Sequence, residues 1–286
     1  MSRKLILIDG NSLVYRAFYA LPTTLALSSG EVTNAVYGFT AMLIRLLIDE
    51  EPDVVSVAFD SRGPTFRHLQ YKEYKAHRKP APDELHAQFP LVKEVLGALA
   101  IPIFELKGYE GDDILATLAA SGVAAGDDVI VVTGDRDAFQ MISDDNVRIM
   151  TTRKGITDIV IYDREKVIER YGVTPEQIPD FLALKGDPSD NIPGVPGIGD
   201  KTAAKLIQEY GTIEAIYEQV EDISRDKLRE SLVANKEDAE ISKKLAILDT
   251  KVPLDGDLKD ARVGEWDIAN VRKVFLKLEF RTLLDR

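Results

Sequence analysis

Three short apolar runs along the chain each end in an aspartate. LILID ends at Asp9, DVVSVAFD at Asp60 and DDVIVVTGD at Asp135. Continuous runs of Val, Ile and Leu fit strands buried on both faces, as in a parallel sheet. Helical periodicity lies between them. Residues 33–50 set Val36, Phe39, Leu43, Leu46 and Leu47 on one stripe, and 84–99 form a second helix before a short strand, IPIFE. This alternation predicts an α/β domain with a mainly parallel sheet. From about residue 163 the pattern is almost wholly helical, with PEQIPDFLALKG, GDKTAAKLIQEYG, KEDAEISKKLAIL and EWDIANVRKVFLKLEF the clearest pieces. Gly/Pro clusters punctuate it at 186–191 and 192–199. The expected division is 1–162, α/β, and 163–286, helical, with no Ser/Gly-rich tract or internal repeat between them.

In an open parallel sheet, functional groups gather beyond the carboxyl ends of the strands. Asp9, Asp60 and Asp135 fall there, and Asp137 follows in TGDRD. The string GYEGDD adds Glu110, Asp112 and Asp113 at a helix start, where the dipole favours carboxylates. GDPSDN adds Asp187 and Asp190 on a tight turn. Any one of these, Asp9 or Asp113 for instance, reads most simply as a turn residue or helix cap. The full set does not, because converging carboxylates repel one another and raise their own pKa values. Hard divalent cations relieve that repulsion, and Mg²⁺ or Mn²⁺ suits a set without His or Cys better than Zn²⁺. Two such ions roughly 3.5–4 Å apart make a clamp for phosphoryl chemistry.

Residues 62–79, RGPTFRHLQYKEYKAHRK, are strongly basic, with Glu73 the single acid. Lys75 and Arg78 are three apart and would share a face of a helix, with Tyr71 and Tyr74 interleaved. Cations grip phosphates and rings stack on bases in single-stranded nucleic acid; a solvated helix with its tyrosines in the core is an equal reading until the position after Asp60 is weighed. His68, His77 and His86 lie in or near this stretch without a Ser or Cys partner, so no triad is assigned. Further on, IPGVPGIGDKTAAKLI sets Gly194, Gly197 and Gly199 before a helix carrying Lys201 and Lys205. Glycines let backbone amides approach a phosphate at a helix N-terminus. The string resembles a helix–hairpin–helix element that holds duplex DNA; the plain alternative is a Gly/Pro turn.

Composition changes this picture in two places. The net charge of −12 argues against nucleic acid when taken alone. Acidic residues that ligate metals are neutralised locally, however, so distribution matters more than the sum. Cysteine is absent, which excludes disulfides and thiolate metal sites. The apolar start is too short for a signal peptide or a membrane span, and a cytoplasmic protein is expected.

Taken together, LILIDGNSLVYRAFYAL, AVYGF, FR…YKEYKAHR, GYEGDDILATLA, VVTGDRDAFQ, FLALKGDPSDNIPGVPGIGDKTA and LEFRTLLDR resemble the 5′-to-3′ exonuclease domains of bacterial DNA polymerases I, relatives of flap endonucleases. The resemblance spans essentially the whole chain. It implies a PIN-like nuclease fold, a helical arch at about 62–90, and a helix–two-turn–helix clamp at 192–199. It implies a first metal site at Asp9, Asp60, Glu110 and Asp112, and a second at Asp135, Asp137 and Asp190, with Asp113 and Asp187 nearby. Lys75 and Arg78 would face the scissile phosphate, Tyr74 would stack, and Arg16 would contact substrate. The hairpin carbonyls would also hold K⁺. Gly111 and Arg136 depart from the family's usual alanine and lysine without removing a ligand. The implied activity is structure-specific hydrolysis of DNA at a 5′ end or 5′ flap by a monomer. Polymerase domains would follow in a longer chain, and an excised domain and a standalone nuclease stay equally open. Two rivals remain: a PIN-type ribonuclease, against which the basic arch and the hairpin speak, and a non-catalytic DNA scaffold, which has no use for so many carboxylates.

Overall fold

The computed structural model describes residues 2–143, 146–152, 158–255, 258, 263–264 and 266–285. Six strands form one sheet in the order β3-β2-β1-β4-β5-β6. They are β1 (Lys4–Asp9), β2 (Val54–Ala58), β3 (Ile103–Phe104), β4 (Asp128–Val132), β5 (Val147–Thr152) and β6 (Ile159–Tyr162). All neighbours are parallel except β5 and β6. Because strand side chains alternate, β1 feeds two cores. Leu5 and Leu7 join one with α6 (Gly111–Ala124) and α8 (Ile178–Lys185). Ile6 and Ile8 join the other with α1 (Gly10–Ala20), α2 (Asn34–Glu50), α5 (Phe89–Ala98) and α13 (Ile268–Lys277). Helices thus cover both faces, which explains why the strands read as unbroken apolar runs.

From β1 the chain proceeds outward to β2 and β3, and β4 returns to the other side of β1. The sheet's switch point therefore lies between β1 and β4, where a crevice opens beyond the strand ends. Beyond β6 the elements of the described residues are helices, including α7 (Arg164–Tyr171), α9 (Asp200–Tyr210), α10 (Ile213–Glu218), α11 (Asp226–Ala234) and α12 (Lys236–Ala246). Among the described residues no helix is long and apolar enough to cross a membrane.

Several elements differ from the sequence reading. β5 and β6 were not among the runs it picked out, although VRIM and IVIY are short β-branched runs of the right kind. IPIFE yields only the two residues of β3. The helix expected over 84–99 is broken into α4 (Asp83–His86) and α5, with Pro90 in the first turn of α5. Proline is tolerated there and not in a helix interior. Glu265, where the last helix was expected to start, lies outside the described residues; α13 begins at Ile268, capped by Asp267.

The largest difference is in the basic segment. α3 (Phe66–Gln70) is helical, but residues 72–77 form turns, and Lys75 has φ of 56°. Tertiary bonds replace the helical ladder. The Lys75 N–H donates to the Asp190 carbonyl at 2.9 Å, and the Asn191 amide donates to the Glu73 carbonyl at 2.6 Å. Lys75 and Arg78 therefore do not share a helix face.

Candidate active site

The crevice at the switch point is a cleft of about 1400 Å³ lined by Asp9, Asp60, Asp112, Asp135, Asp137 and Asp187, with Arg16, Lys75 and Arg78 among its cations. Each carboxylate has a local reason for its place. Asp9 ends β1 and caps α1, accepting the Ser12 N–H at 2.9 Å, while its other oxygen accepts the Thr133 hydroxyl at 2.7 Å. Gly10 must be glycine, because a Cβ there would lie 2.4 Å from the Phe59 ring. Asp60 sits two residues past β2. Its N–H donates to Asn11 Oδ1 at 2.9 Å and its Oδ1 accepts the Gly111 N–H at 2.7 Å. Asp112 lies in the first turn of α6, and its buried Oδ1 has no hydrogen-bond partner. The Asp135 N–H donates to Thr133 Oγ1 at 3.0 Å, and the Asp137 N–H to Asp135 Oδ1 at 3.0 Å.

The electrostatics match the geometry. Burial, then repulsion from Asp60 and Asp135, pushes the Asp9 carboxyl up to about 7 against the Ser12 and Thr133 hydrogen bonds. Burial and the neighbouring Asp135, Asp9 and Asp60 charges hold Asp112 well above the carboxylate range. Asp137 is raised well above it too, by burial and then by Asp135, Asp187 and Asp190. Burial likewise raises Asp60 and Asp135.

Glu110 and Asp190 stand behind this ring, in contact with the cations. Lys75 Nζ lies 2.9 Å from Glu110 Oε2 and 3.6 Å from Asp190 Oδ2, and Arg78 pairs with Asp190 Oδ1. Burial alone would raise Asp190, but Lys75 and Arg78 hold it below the usual carboxylate range. Tyr74, expected to stack on substrate, is 3% exposed, and its hydroxyl lies 3.0 Å from Glu110 and 3.1 Å from Asp190. In this conformation its ring has no free face to offer a base.

Asp113 does not reach the cleft. Both its oxygens are held by the Arg67 guanidinium at 2.7 Å, and it also accepts the Asp249 N–H at 2.9 Å. Arg67 is fully buried and donates to the Leu245 and Ile247 carbonyls as well. This pair joins the base of the basic segment, the first turn of α6 and the end of α12. Removing one partner leaves a buried charge unpaired, so Asp113→Ala is expected to lower stability by about 3–5 kcal/mol. Urea unfolding monitored by circular dichroism measures this directly.

Among the described residues no three carboxylates are already drawn together closely enough to hold an ion. The donor set nonetheless fits hard cations. It consists of carboxylate oxygens, it lacks Cys, and it holds an orphaned buried oxygen on Asp112. A buried anion without a partner is costly, and a cation is its natural complement. The sequence reading missed the residues that hold these carboxylates, namely Asn11, Ser12 and Thr133. Short polar residues beside a strand end are common, and nothing in the sequence separates these from ordinary turn residues.

On the far side of Asp187, the chain closes a hairpin by pairing Asp187 with Ile192. Gly194 has φ of 63°, and a Cβ on it would lie 2.3 Å from the Gly186 nitrogen, so the chain crosses itself there. Val195 and Ile198 anchor the loop in the core. Gly197 and Gly199 are exposed, and a Cβ on either would meet nothing within 4 Å. Lys201 and Lys205 are exposed on α9.

A carboxylate-lined crevice, with cations over one rim, thus opens at the switch point of the α/β sheet. The chain belongs to the 5′-3′ exonuclease family: residues 4–172 match its N-terminal resolvase-like domain and residues 173–269 its C-terminal SAM fold. It is 49% identical over 283 residues to DNA polymerase I of Mycobacterium tuberculosis strain H37Rv, covering 99% of this chain and 31% of that protein. It is 48% identical to DNA polymerase I of Bacillus caldotenax, covering 100% of this chain and 32% of that one. The chain thus spans about a third of the length of these relatives. In fold it is similar to the phage T5 5′-exonuclease solved with zinc ions, at TM-score 0.69 and 24% identity over 99% of both chains. It is also similar to human GEN1 in complex with Holliday junction DNA, at TM-score 0.65 and 17% identity over 98% of this chain and 68% of that one.

Proposed function

We propose that this chain hydrolyses DNA phosphodiesters at a 5′ end or at the base of a 5′ flap, as in removal of primers and flaps during replication and repair. The observation that carries the reading is the unpartnered, buried Asp112 oxygen within a ring of carboxylates whose pKa values burial and mutual repulsion raise. Asp9, Asp60, Glu110 and Asp112 would hold one Mg²⁺ or Mn²⁺, and Asp135, Asp137 and Asp190 a second, with Asp187 at the rim. Asp113 is left out of both sets because Arg67 occupies it. Bound there, the ions would supply charge for the attacking and leaving oxygens of an in-line displacement.

The chain's own residues do the rest. Lys75 and Arg78 rest on Glu110 and Asp190 and answer the negative charge of this part of the site. Once that charge is answered otherwise, both cations can turn to the scissile phosphate, with Arg16 across the cleft. Opening of the 71–78 turns would also free Tyr74 to stack. Residues 1–162, joined by Asp187 and Asp190, would carry the chemistry. Residues 163–286 would hold the downstream duplex through the amides around Gly194, Gly197 and Gly199 and through Lys201 and Lys205, with K⁺ on the hairpin carbonyls. Such contacts grip phosphates without reading sequence. We place the chain in the cytoplasm as a monomer, as part of a longer polymerase-bearing protein, in keeping with the share of its relatives that it matches.

The test is an end-labelled duplex bearing a 5′ flap, incubated with and without Mg²⁺ and sized. Cleavage is expected near the junction, only with Mg²⁺, and much faster than of the same strand without its complement or of a 3′ flap. Rising salt should weaken binding steeply, since affinity rests on counterion release. Equal cleavage of flap and free strand would overturn the junction claim. Preference for a matched RNA flap would favour the ribonuclease reading instead.

A further inference from the structure

The geometry points to Thr133 as a positioning residue that couples the two carboxylate sets and sets the distance between them. This inference rests on the proposed reading of Asp9 as a ligand of one ion and Asp135 and Asp137 as ligands of the other. Thr133 is 1% exposed and follows β4 directly, its N–H continuing the ladder to the Met150 carbonyl at 3.1 Å. Its hydroxyl oxygen accepts the Asp135 N–H at 3.0 Å and lies 2.7 Å from Asp9 Oδ2. A hydroxyl has a single proton. A lone pair faces the Asp135 N–H and Asp9 Oδ2 can only accept while ionised, so the proton points at Asp9.

Each Asp9 oxygen is therefore pinned by one donor, Oδ1 by the Ser12 N–H and Oδ2 by Thr133. The remaining lone pairs are left to the cleft. A second tie runs the opposite way between the same two turns, because the Gly134 N–H donates to Ser12 Oγ at 2.8 Å. Asp135 in turn accepts the Asp137 N–H. One hydroxyl thus links Asp9 on β1 to the Asp135–Asp137 turn beyond β4, across the switch point where the two sets meet. Packing alone does not require this. A valine would fill the same space, but it would leave the Asp135 N–H unpaired and Asp9 Oδ2 without its donor, so that the Ser12 N–H alone would hold the carboxylate.

The test is Mn²⁺ binding to the DNA-free chain, followed by calorimetry and by electron paramagnetic resonance of the free ion. Thr133→Val is expected to weaken Mn²⁺ binding by about 10–100-fold, the usual cost of removing a hydrogen-bond partner from a metal ligand. Thr133→Ser, which keeps the hydroxyl, should return affinity to within a few-fold of the parent. If Thr133→Val does not fold, Thr133→Ala carries the same comparison against Thr133→Ser. Parent-like Mn²⁺ affinity in the hydroxyl-free variant, with only a lower melting temperature, would overturn the inference and make Thr133 a packing residue. If the parent itself bound no Mn²⁺, the metal reading of the site would fail first, and the two failures are thereby told apart.

Discussion

Asp112→Asn is expected to raise the stability of the metal-free chain while lowering single-turnover cleavage by at least about 10²–10³-fold. The size of the loss is that of removing one preorganised electrostatic contact to the reacting centre. The opposite signs follow from one cause. Asp112 Oδ1 is buried without a partner, and Asp135, Asp9 and Asp60 all repel its charge. Asparagine keeps the shape and removes the charge, so the fold gains where catalysis loses. An active-site residue held at a cost to stability behaves in this way. A structural carboxylate such as Asp113 should do the reverse, because its charge is answered by Arg67. DNA affinity should stay level or rise in Asp112→Asn, since one anion facing the phosphates is gone. The measurements are single-turnover cleavage of a labelled flap in Mg²⁺ and thermal melting in EDTA. Parent-like cleavage would remove Asp112 from the ligand set, and a fall in melting temperature would contradict the repulsion argument.

The strand ends were legible because burial on both faces writes itself as unbroken apolar runs, and those runs stop where the crevice begins. Asp9, Asp60 and Asp135 follow from that alone, and Asp137 from its spacing. Glu110, Asp112 and Asp113 stand together in sequence, yet α6 sends them different ways. Asp112 faces the cleft and Asp113 is turned onto Arg67. Adjacent residues on a helix project about 100° apart, but which of them meets a buried arginine is a tertiary fact. Tyr74 and Lys75 illustrate the same limit. Their chemistry reads as substrate-facing, whereas the structure folds them onto Glu110 and Asp190 through bonds to residues far along the chain. β5 and β6 escaped because their runs are short and lie outside the pattern of strands ending in aspartate.

The melting temperature of the chain in EDTA is expected to fall as pH rises from about 5 to 8, and Mg²⁺ is expected to abolish most of that fall. The sign follows from the direction of the shifts. Asp9 goes from 3.8 to about 7 on folding, and Asp112, Asp137, Asp60 and Asp135 are raised as well, burial being the leading cause for each. A carboxyl with a raised folded pKa binds its proton more tightly in the native state. Its stabilising contribution is complete below the unfolded value and is lost as pH climbs through the folded one. Asp190 is shifted the other way, so its contribution is lost only on acidification towards its lowered folded value, outside this window. For Asp9 the part of this change that falls inside the window, from pH 5 to about 7, corresponds to about 3 kcal/mol at 1.36 kcal/mol per pH unit. At roughly 2 °C per kcal/mol for a chain of this size, that is a fall of about 5 °C from one carboxyl. Mg²⁺ replaces the lost protons as the partner of the ionised carboxylates, so its stabilisation should be large at pH 8 and small at pH 5, where protons compete for the same oxygens. Differential scanning calorimetry over this range, in EDTA and in Mg²⁺, gives both curves. A metal-free melting temperature that rose between pH 5 and 8, or a Mg²⁺ effect independent of pH, would mean that the carboxylates of the crevice are not the mutually repelling cluster their burial and spacing describe.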